Sequence, residues 1–401
     1  MPTDDPTTEA AQVRTDALAE ARKVSATLFE HAAETERLGR PAPATVTALQ
    51  QSGLLALSVP RQFGGQEAGL GTQARVALEL GRGCPSVGWV ASLSGAAKGM
   101  VAPMLAPATR TAFFDDPHAF VCASGVGNGR ALRQNGDLRV SGRWRMASGC
   151  EVATWASLLV TVHDENDQVV EAGVVLARVE ELQIDRGWRS AGLQGTGSYR
   201  LVADNLLIPA TFSAVGPVAG PPSAPPARVS LGAVVAHLAP LVGATSGQLE
   251  ASRALFSGDR VPSRTTYTQL VDSPLARDWF ARAERAVGAA VRDTLAVADA
   301  WITCPPARNR RRSCGRTGAW TWCRQRRPVA APGAPARPQR CRWFRSPGTV
   351  AAGVAGRCGR HPLRRAESVC GGRGPCSGAA RRRRSGLAAV KRCGVSGGSY
   401  G

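Results

Sequence analysis

The feature that most limits what this chain can fold into is a break in chemical character close to residue 301. Residues 304–401 carry 23 Lys and Arg against a single acid, Glu367. Of 50 basic and 30 acidic residues in the chain, that leaves 27 and 29 in the first 303, which are close to neutral. The net charge of +20 therefore belongs to the last hundred residues. Cysteine divides in the same way, with eight of the 11 between Cys304 and Cys393 and only Cys84, Cys122 and Cys150 before them. A segment rich in Arg, Gly and Pro, with no recurring apolar positions, cannot bury a face. Folding must then be carried by residues 1–303. The three scattered cysteines there predict buried, reduced thiols. No early stretch reads as a leader peptide, and no run approaches the roughly 18–20 apolar residues of a membrane span. The expectation is a cytoplasmic body with no membrane partner.

Within the body the hydrophobic period changes twice. Leu18, Ala21, Val24, Leu28 and Ala32 recur at helical spacing. A second helix is expected over 44–52, ending at Gly53. Thr72 is placed as the cap of a third, with Val76 and Leu80 inward and Arg75 with Glu79 as an outward i,i+4 pair. A fourth follows Pro85-Ser86 and carries Trp89, Leu93 and Met100. From Phe120 the pattern becomes short apolar runs, with Asn135-Gly136 as a hairpin signal. Gly and Pro dominate 216–226. Helices resume at Leu231, and Ser273-Pro274 opens one whose stripe is Leu275, Trp279, Ala283, Ala286, Ala290, Val297 and Trp301. The expected organisation is a frayed 1–14, a helical domain 15–117, an antiparallel β domain 118–212, a Pro/Gly linker 213–228, a partial C-terminal helical domain 229–303 and a tail 304–401 that is not natively folded. The fold class is α+β.

Three strings narrow this further. Gly53-Leu54-Leu55 leads through Val59-Pro60-Arg61-Gln62-Phe63-Gly64-Gly65. Ser141-Gly142-Arg143-Trp144-Arg145-Met146-Ala147-Ser148-Gly149 follows the hairpin. Gly187-Trp188-Arg189 precedes Gly192-Leu193-Gln194-Gly195-Thr196-Gly197-Ser198 and Asp204-Asn205-Leu206-Leu207-Ile208-Pro209. In this order and spacing, residues 15–301 resemble the acyl-CoA dehydrogenase-like flavoproteins. Cys84-Pro85-Ser86 with Trp89, and the Gly-Leu-Gln-Gly-Thr-Gly-Ser string, are more similar to that fold's two-component flavin monooxygenases. The dehydrogenase branch has Thr-Glu-Pro-Gly-x-Gly-Ser-Asp where this chain has Cys122-Ala123-Ser124-Gly125-Val126-Gly127-Asn128.

The resemblance implies reduced FAD or FMN supplied by a separate flavin reductase, an aromatic or polyketide-like small-molecule substrate, and a homotetramer. The substrate pocket is expected between the N-terminal helices and the β domain. The acyl-CoA dehydrogenase reading, FAD-dependent oxidation of a thioester, is the alternative. By resemblance Ser148 stands beside flavin N5, as the hydrogen-bond partner of the proton held there in the reduced state. Met146 occupies the family's aromatic position against the flavin ring. Strand alternation would put Trp144 on the same face, either as a flavin contact or as a core residue. Ser124 is assigned to the flavin pyrimidine edge or to an ordinary loop. Arg264, with Tyr267, resembles the pair that reaches a neighbouring subunit's flavin pyrophosphate, a guanidinium role, or else is a solvated surface residue. The family's histidines are not matched: His31, His118, His163 and His237 take structural roles by default, and the general base is unassigned. Gly125-Val126-Gly127-Asn128-Gly129 opens no βαβ unit, so no dinucleotide loop is expected.

The tail admits three readings. Its charge and Trp320, Trp322 and Trp343 suit nucleic acid. Its cysteines show no C-x₂₋₄-C pair, against a metal module. The preferred reading is a shifted reading frame, because the composition turns abruptly to residues with GC-rich codons, no specific nucleic acid being bound; an inactive truncated remnant with a basic tail is the further alternative for the function of the chain. Translation of the DNA beyond about codon 301 in the other forward frames is expected to give two acid-containing, Cys-poor amphipathic helices with a histidine. Early stops or an absence of helical periodicity in both frames would refute it.

Overall fold

A computed structural model describes residues 6–218, 227–259 and 261–300. The chain divides into units 1–313 and 314–401, so the tail and all three readings of it lie outside the described residues. Six helices come first: α1 (Pro6–Glu30), α2 (Ala32–Leu38), α3 (Pro43–Gln51), α4 (Leu70–Gly83), α5 (Pro85–Val101) and α6 (Pro107–Phe113). Seven strands follow: β1 (Phe120–Gln134), β2 (Asp137–Ala147), β3 (Ala153–His163), β4 (Val169–Arg178), β5 (Gln183–Asp185), β6 (Tyr199–Ile208) and β7 (Ser213–Pro217). Two long helices, α7 (Ala227–Phe256) and α8 (Pro274–Ala300), complete the body.

Of the positions predicted for α1, Ala21, Val24 and Leu28 are buried and face Leu49, Val76, Leu80 and Val87; Ala17 is buried in place of the half-buried Leu18, and Ala32 falls in α2. Helix α1 starts earlier than expected, so residues 6–14 are not frayed, and Glu9 is ion-paired with Arg61. Gly53 takes φ +75 just beyond α3, as a helix-ending glycine should. Thr72 caps nothing; it is buried inside α4, whose cap position is Gly69. The expected Arg75–Glu79 pair is also replaced, by a tertiary partner for Arg75 and a helical i,i+3 neighbour for Glu79. Arg75 makes a bidentate contact of 2.7 Å with Asp299 of α8, and Glu79 pairs with Arg82 at 3.2 Å. The Arg75 guanidinium holds the Asp299 carboxyl below its usual range.

The sheet order is β5-β6-β2-β1-β3-β4-β7. It is mixed rather than antiparallel, because β1 and β3 are parallel, with Phe120 opposite Ala153 and Leu132 opposite His163. The cause is the turn after β2. Asn135-Gly136 makes the expected hairpin, with φ +53 and +93. The chain then reverses within Ser148–Val152 and lays β3 on the other side of β1. Strand β7 falls in the segment read as linker and pairs with β4, from Glu171↔Pro217 to Val175↔Ser213. Its Gly and Pro content concealed an edge strand, where proline is tolerated.

Helix α7 returns over α4 and α5 at very short range. A Cβ on Gly243 would overlap the Leu78 carbonyl, and one on Gly81 the Pro240 carbonyl, so only hydrogen at these positions permits the approach. On α5, Lys98 is 1% exposed and donates to the carbonyls of Leu55 at 2.9 Å and Pro117 at 2.7 Å. Burial pushes its ammonium down to about 7, against some support from Asp116. The unfolded chain, with an ordinary lysine near 10.4, then holds the proton more tightly than the folded one. The Lys98 contribution to stability is accordingly lowest below about pH 7 and rises towards pH 10. In denaturant titrations the wild type should gain about 1 kcal/mol per pH unit relative to Lys98→Met between pH 7 and 9. Parallel curves for the two proteins would show that the buried amine does not titrate in this range.

Candidate functional site

The site forms where β2 loses its alternation. Trp144 pairs with Leu201, but Ala147 rather than Met146 pairs with Tyr199, so β2 carries one extra residue. Met146 takes φ +59 at this bulge. Trp144 and Ala147 are both fully buried, while Met146 is 48% exposed. The expectation that Trp144 and Met146 share a face is thus corrected. The Trp144 ring covers the cross-strand glycines Gly129 and Gly142, and its N–H donates to the Leu159 carbonyl at 2.7 Å. Trp144 belongs to the core of the β domain. Met146 instead borders a cleft of about 150 Å³ with Arg145, Asp185, Trp188, Ser198 and Arg200.

Beyond the bulge the chain turns sharply, closed by Ser148 N–H to the Met146 carbonyl at 3.0 Å and Gly149 N–H to the Thr196 carbonyl at 2.8 Å. Gly149 takes φ +75, and a Cβ there would lie 2.5 Å from Val90. Glycine therefore lets this turn seat on α5. The seating buries the Ser148 side chain between α5 and the 194–198 segment. Trp89 Nε1–H donates to Ser148 Oγ at 3.2 Å, and Ser148 Oγ is 2.8 Å from Ser198 Oγ. Ser198 Oγ is 2.7 Å from Thr196 Oγ1, which donates to the Leu193 carbonyl at 2.8 Å. The strings on which the resemblance rests contain Trp89, Thr196 and Ser198, but nothing in their spacing joins them to Ser148.

The other expected residues lie elsewhere. Ser124 is buried; its hydroxyl contacts the carbonyls of Arg145 at 2.5 Å and Val126 at 3.0 Å, and Val126 N–H donates into it at 3.2 Å. Its hydrogen-bonding capacity is used in bracing β1 against the bulge. Arg264 is exposed, with φ +59, between α7 and α8, and takes no part in the Ser148 cluster. His31 contacts Glu34 at 3.0 Å and His163 contacts Asp167 Oδ1 at 3.1 Å, both short-range surface pairs. His237 is different. Helix α7 sets its ring edge-on to Trp89, centroids 5.1 Å apart.

A second cavity, of about 460 Å³, lies among α4, α5, α7 and the 54–58 turn. Helix α7 forms its far wall, through Gly232, Ala233, Val235 and Ala236, so the cavity is not bounded by the β domain, where the substrate pocket is expected. Its walls are small and apolar apart from Ser58, Gln73 and Ser92, and no charged side chain lines it. The size falls within the range of small-molecule sites. Helix α5 joins the two places, offering Trp89 to Ser148 and Ser92, Gly95 and Met100 to the cavity.

The flavin implied by the resemblance was tested against these groups. Ser148 Oγ is held from two sides at the edge of the bulge. Trp188 lines the adjoining cleft, and its Nε1–H is buried without an acceptor among the described residues. A buried donor left unpaired is costly and suits a ligand rich in acceptor oxygens and nitrogens. The three cysteines are buried thiols, all pushed up by desolvation and Cys150 to about 12, so none is a competing nucleophile. Among the described residues no His, Cys, Asp and Glu cluster could hold a metal, and no helix is long and apolar enough to cross a membrane. The residues fit a flavin.

Comparison with known proteins agrees. Residues 7–110 match the family described as "Acyl-CoA dehydrogenase, N-terminal domain". The chain is 29% identical over 276 residues to the flavin-dependent monooxygenase oxygenase subunit HsaA of Rhodococcus jostii (strain RHA1), covering 66% of this chain and 72% of that protein. It is 31% identical over 185 residues to the oxygenase component of the FADH(2)-dependent resorcinol hydroxylase of Rhizobium sp. (strain MTP-10005), covering 46% of this chain and 45% of that one. In fold it is similar to XiaF from Streptomyces sp., solved with FADH2 and glycerol: TM-score 0.66, 23% identity, 74% of this chain and 78% of that one. Likewise it resembles 3-HSA hydroxylase from Rhodococcus sp. RHA1: TM-score 0.62, 23% identity, 72% and 76%. Residues 7–110 form an acyl-CoA dehydrogenase-like N-terminal domain, and the body of this chain is homologous to the oxygenase components of two-component flavin-dependent monooxygenases.

Proposed function

We propose that this protein hydroxylates a small aromatic or polyketide-like molecule with dioxygen, using reduced FAD or FMN from a separate reductase. The observation that carries the proposal is the double use of α5, which binds Ser148 through Trp89 and walls the apolar cavity one turn further on. When bound, reduced flavin supplies the electrons that activate dioxygen and passes one oxygen atom to the substrate. The chain's own residues hold and shield. Ser148 keeps the N5 proton in place, Met146 and Trp188 bound the ring's cleft, and the seat of Gly149 on Val90 closes the turn against water. The uncharged cavity orients an uncharged ring system by shape and excludes bulk solvent. In a homotetramer Arg264, on the exposed α7–α8 segment, would meet a neighbouring chain's flavin phosphate. The buried thiols suit a cytoplasmic setting.

With a flavin reductase, NADH and a phenolic substrate, the purified chain should take up oxygen in a substrate-dependent way. Anaerobic reduction of its flavin by an acyl-CoA would instead assign it to the dehydrogenases. Ser148→Ala should leave the fold nearly intact while diverting oxygen consumption from product to hydrogen peroxide, by several-fold for the loss of one hydrogen bond. Unchanged coupling of oxygen uptake to hydroxylation would remove Ser148 from the chemistry.

A further inference from the structure

A glycine inside a helix weakens it relative to alanine, so each one calls for a reason. Gly81 and Gly243 have theirs in the contact between α4 and α7. Gly88 of α5 has one too, since a Cβ there would lie 2.6 Å from the Gly81 nitrogen. Gly95 and Gly99 of α5 and Gly232 of α7 have no reason of this kind. A Cβ on Gly95 would sit 3.8 Å from Ser58 Oγ and one on Gly99 3.7 Å from Ser58 Cβ, both ordinary contacts. One on Gly232 would meet nothing within 4 Å. None of the three takes a positive φ. What they share is the 460 Å³ cavity, which all three line. Gly95 and Gly99 stand one helical turn apart and so face it together.

The size and polarity of the cavity say what the missing side chains make room for. An apolar cavity of about 150 Å³ already takes a single benzene ring. This one, at about 460 Å³, is about three times that size. Ser58 donates its hydrogen to the Gly95 carbonyl and Ser92 to the Ala236 carbonyl, both at 2.8 Å, so these wall hydroxyls offer a ligand lone pairs only. A carboxylate there would be buried without a cation, whereas a ring hydroxyl would find an acceptor. We infer that Gly95, Gly99 and Gly232 are specificity-determining residues. At some cost in helix stability they leave open a cavity that selects an uncharged, hydroxyl-bearing fused-ring molecule over a single ring. The inference rests on the reading of this cavity as the substrate site and adds to it the class of ring admitted.

The test measures binding of phenol, 2-naphthol and 9-phenanthrol to the full chain and its variants, without flavin, together with the thermal unfolding midpoint of each protein. Wild type should bind 9-phenanthrol at least tenfold more tightly than phenol, the gain of further apolar area buried. Gly95→Leu and Gly232→Leu fill the space and should each lower that ratio of affinities by about tenfold or more. Gly95→Ala and Gly99→Ala should lower it by a smaller factor while raising the unfolding midpoint by about 2 °C, as expected of helical glycines that packing does not require. Should the leucine variants not fold, the alanine variants decide alone. A lowered midpoint in both alanine variants would make these glycines structural and overturn the inference. So would a ratio unmoved in every folded variant, or a wild type that prefers phenol, and either would leave the cavity standing as the substrate site. A wild type that binds none of the three rings would overturn the inference and that reading together.

Discussion

The body of this protein depends on the seating of one turn, Ala147 to Cys150, against helix α5. A strand that kept its alternation would carry Met146 and Ser148 past the helix on a common face. The extra residue in β2 breaks the alternation, and a left-handed Met146 turns the chain. Gly149 then comes down where any Cβ would strike Val90. From that contact the rest follows. The chain is reversed, so β3 must run parallel to β1, and Ser148 is driven inward to Trp89 and Ser198.

The helical layer uses the same device at a larger scale. Gly81 and Gly243 bring the α4 and α7 backbones into contact, and the Arg75–Asp299 fork ties α8 across α4. Such close packing leaves little room between backbones, and the 460 Å³ cavity lies where small residues leave it open, at Gly95 and Gly99 of α5 and Gly232 of α7. Rigid walls and a buried polar chain are what a site needs when it must exclude water and still hold a proton at one atom. The buried Lys98 serves the same rigidity, pinning the 54–58 turn and the approach to β1 from α5.

Some apolar surface remains uncovered among the described residues. On α7, Val234, Leu238 and Leu241 are 54%, 43% and 39% exposed; on α8, Leu275 and Trp279 are 56% and 63%. The stripe predicted for α8 divides accordingly. Its first half stands exposed, while burial moves in the second half to Thr294 and Ala298, beside the Arg75 contact. Uncovered apolar surface of this extent weakens a helical layer by about 25 cal/mol for each Å² left in water.

The sequence alone determined the elements whose signals are local. Periodicity placed α1, α3, α5 and α8, and Asn135-Gly136 placed the hairpin. The ordered strings also carried the family resemblance and singled out Ser148. What the sequence could not determine were relations between distant residues. Arg75 chose Asp299, 224 residues away, over its helical neighbour, because a fork-to-carboxylate contact between elements outweighs an exposed i,i+4 pair. Period-two counting assigned Trp144 to the flavin face, because a bulge has no signature in the alternation it interrupts. Ser124 and Ser148 are both serines before glycine in β-rich sequence. One closes its hydroxyl on main-chain carbonyls and the other meets the Trp89 indole N–H and the Ser198 hydroxyl, and only the tertiary structure decides which, because a hydroxyl's capacity depends on the partners that packing brings to it.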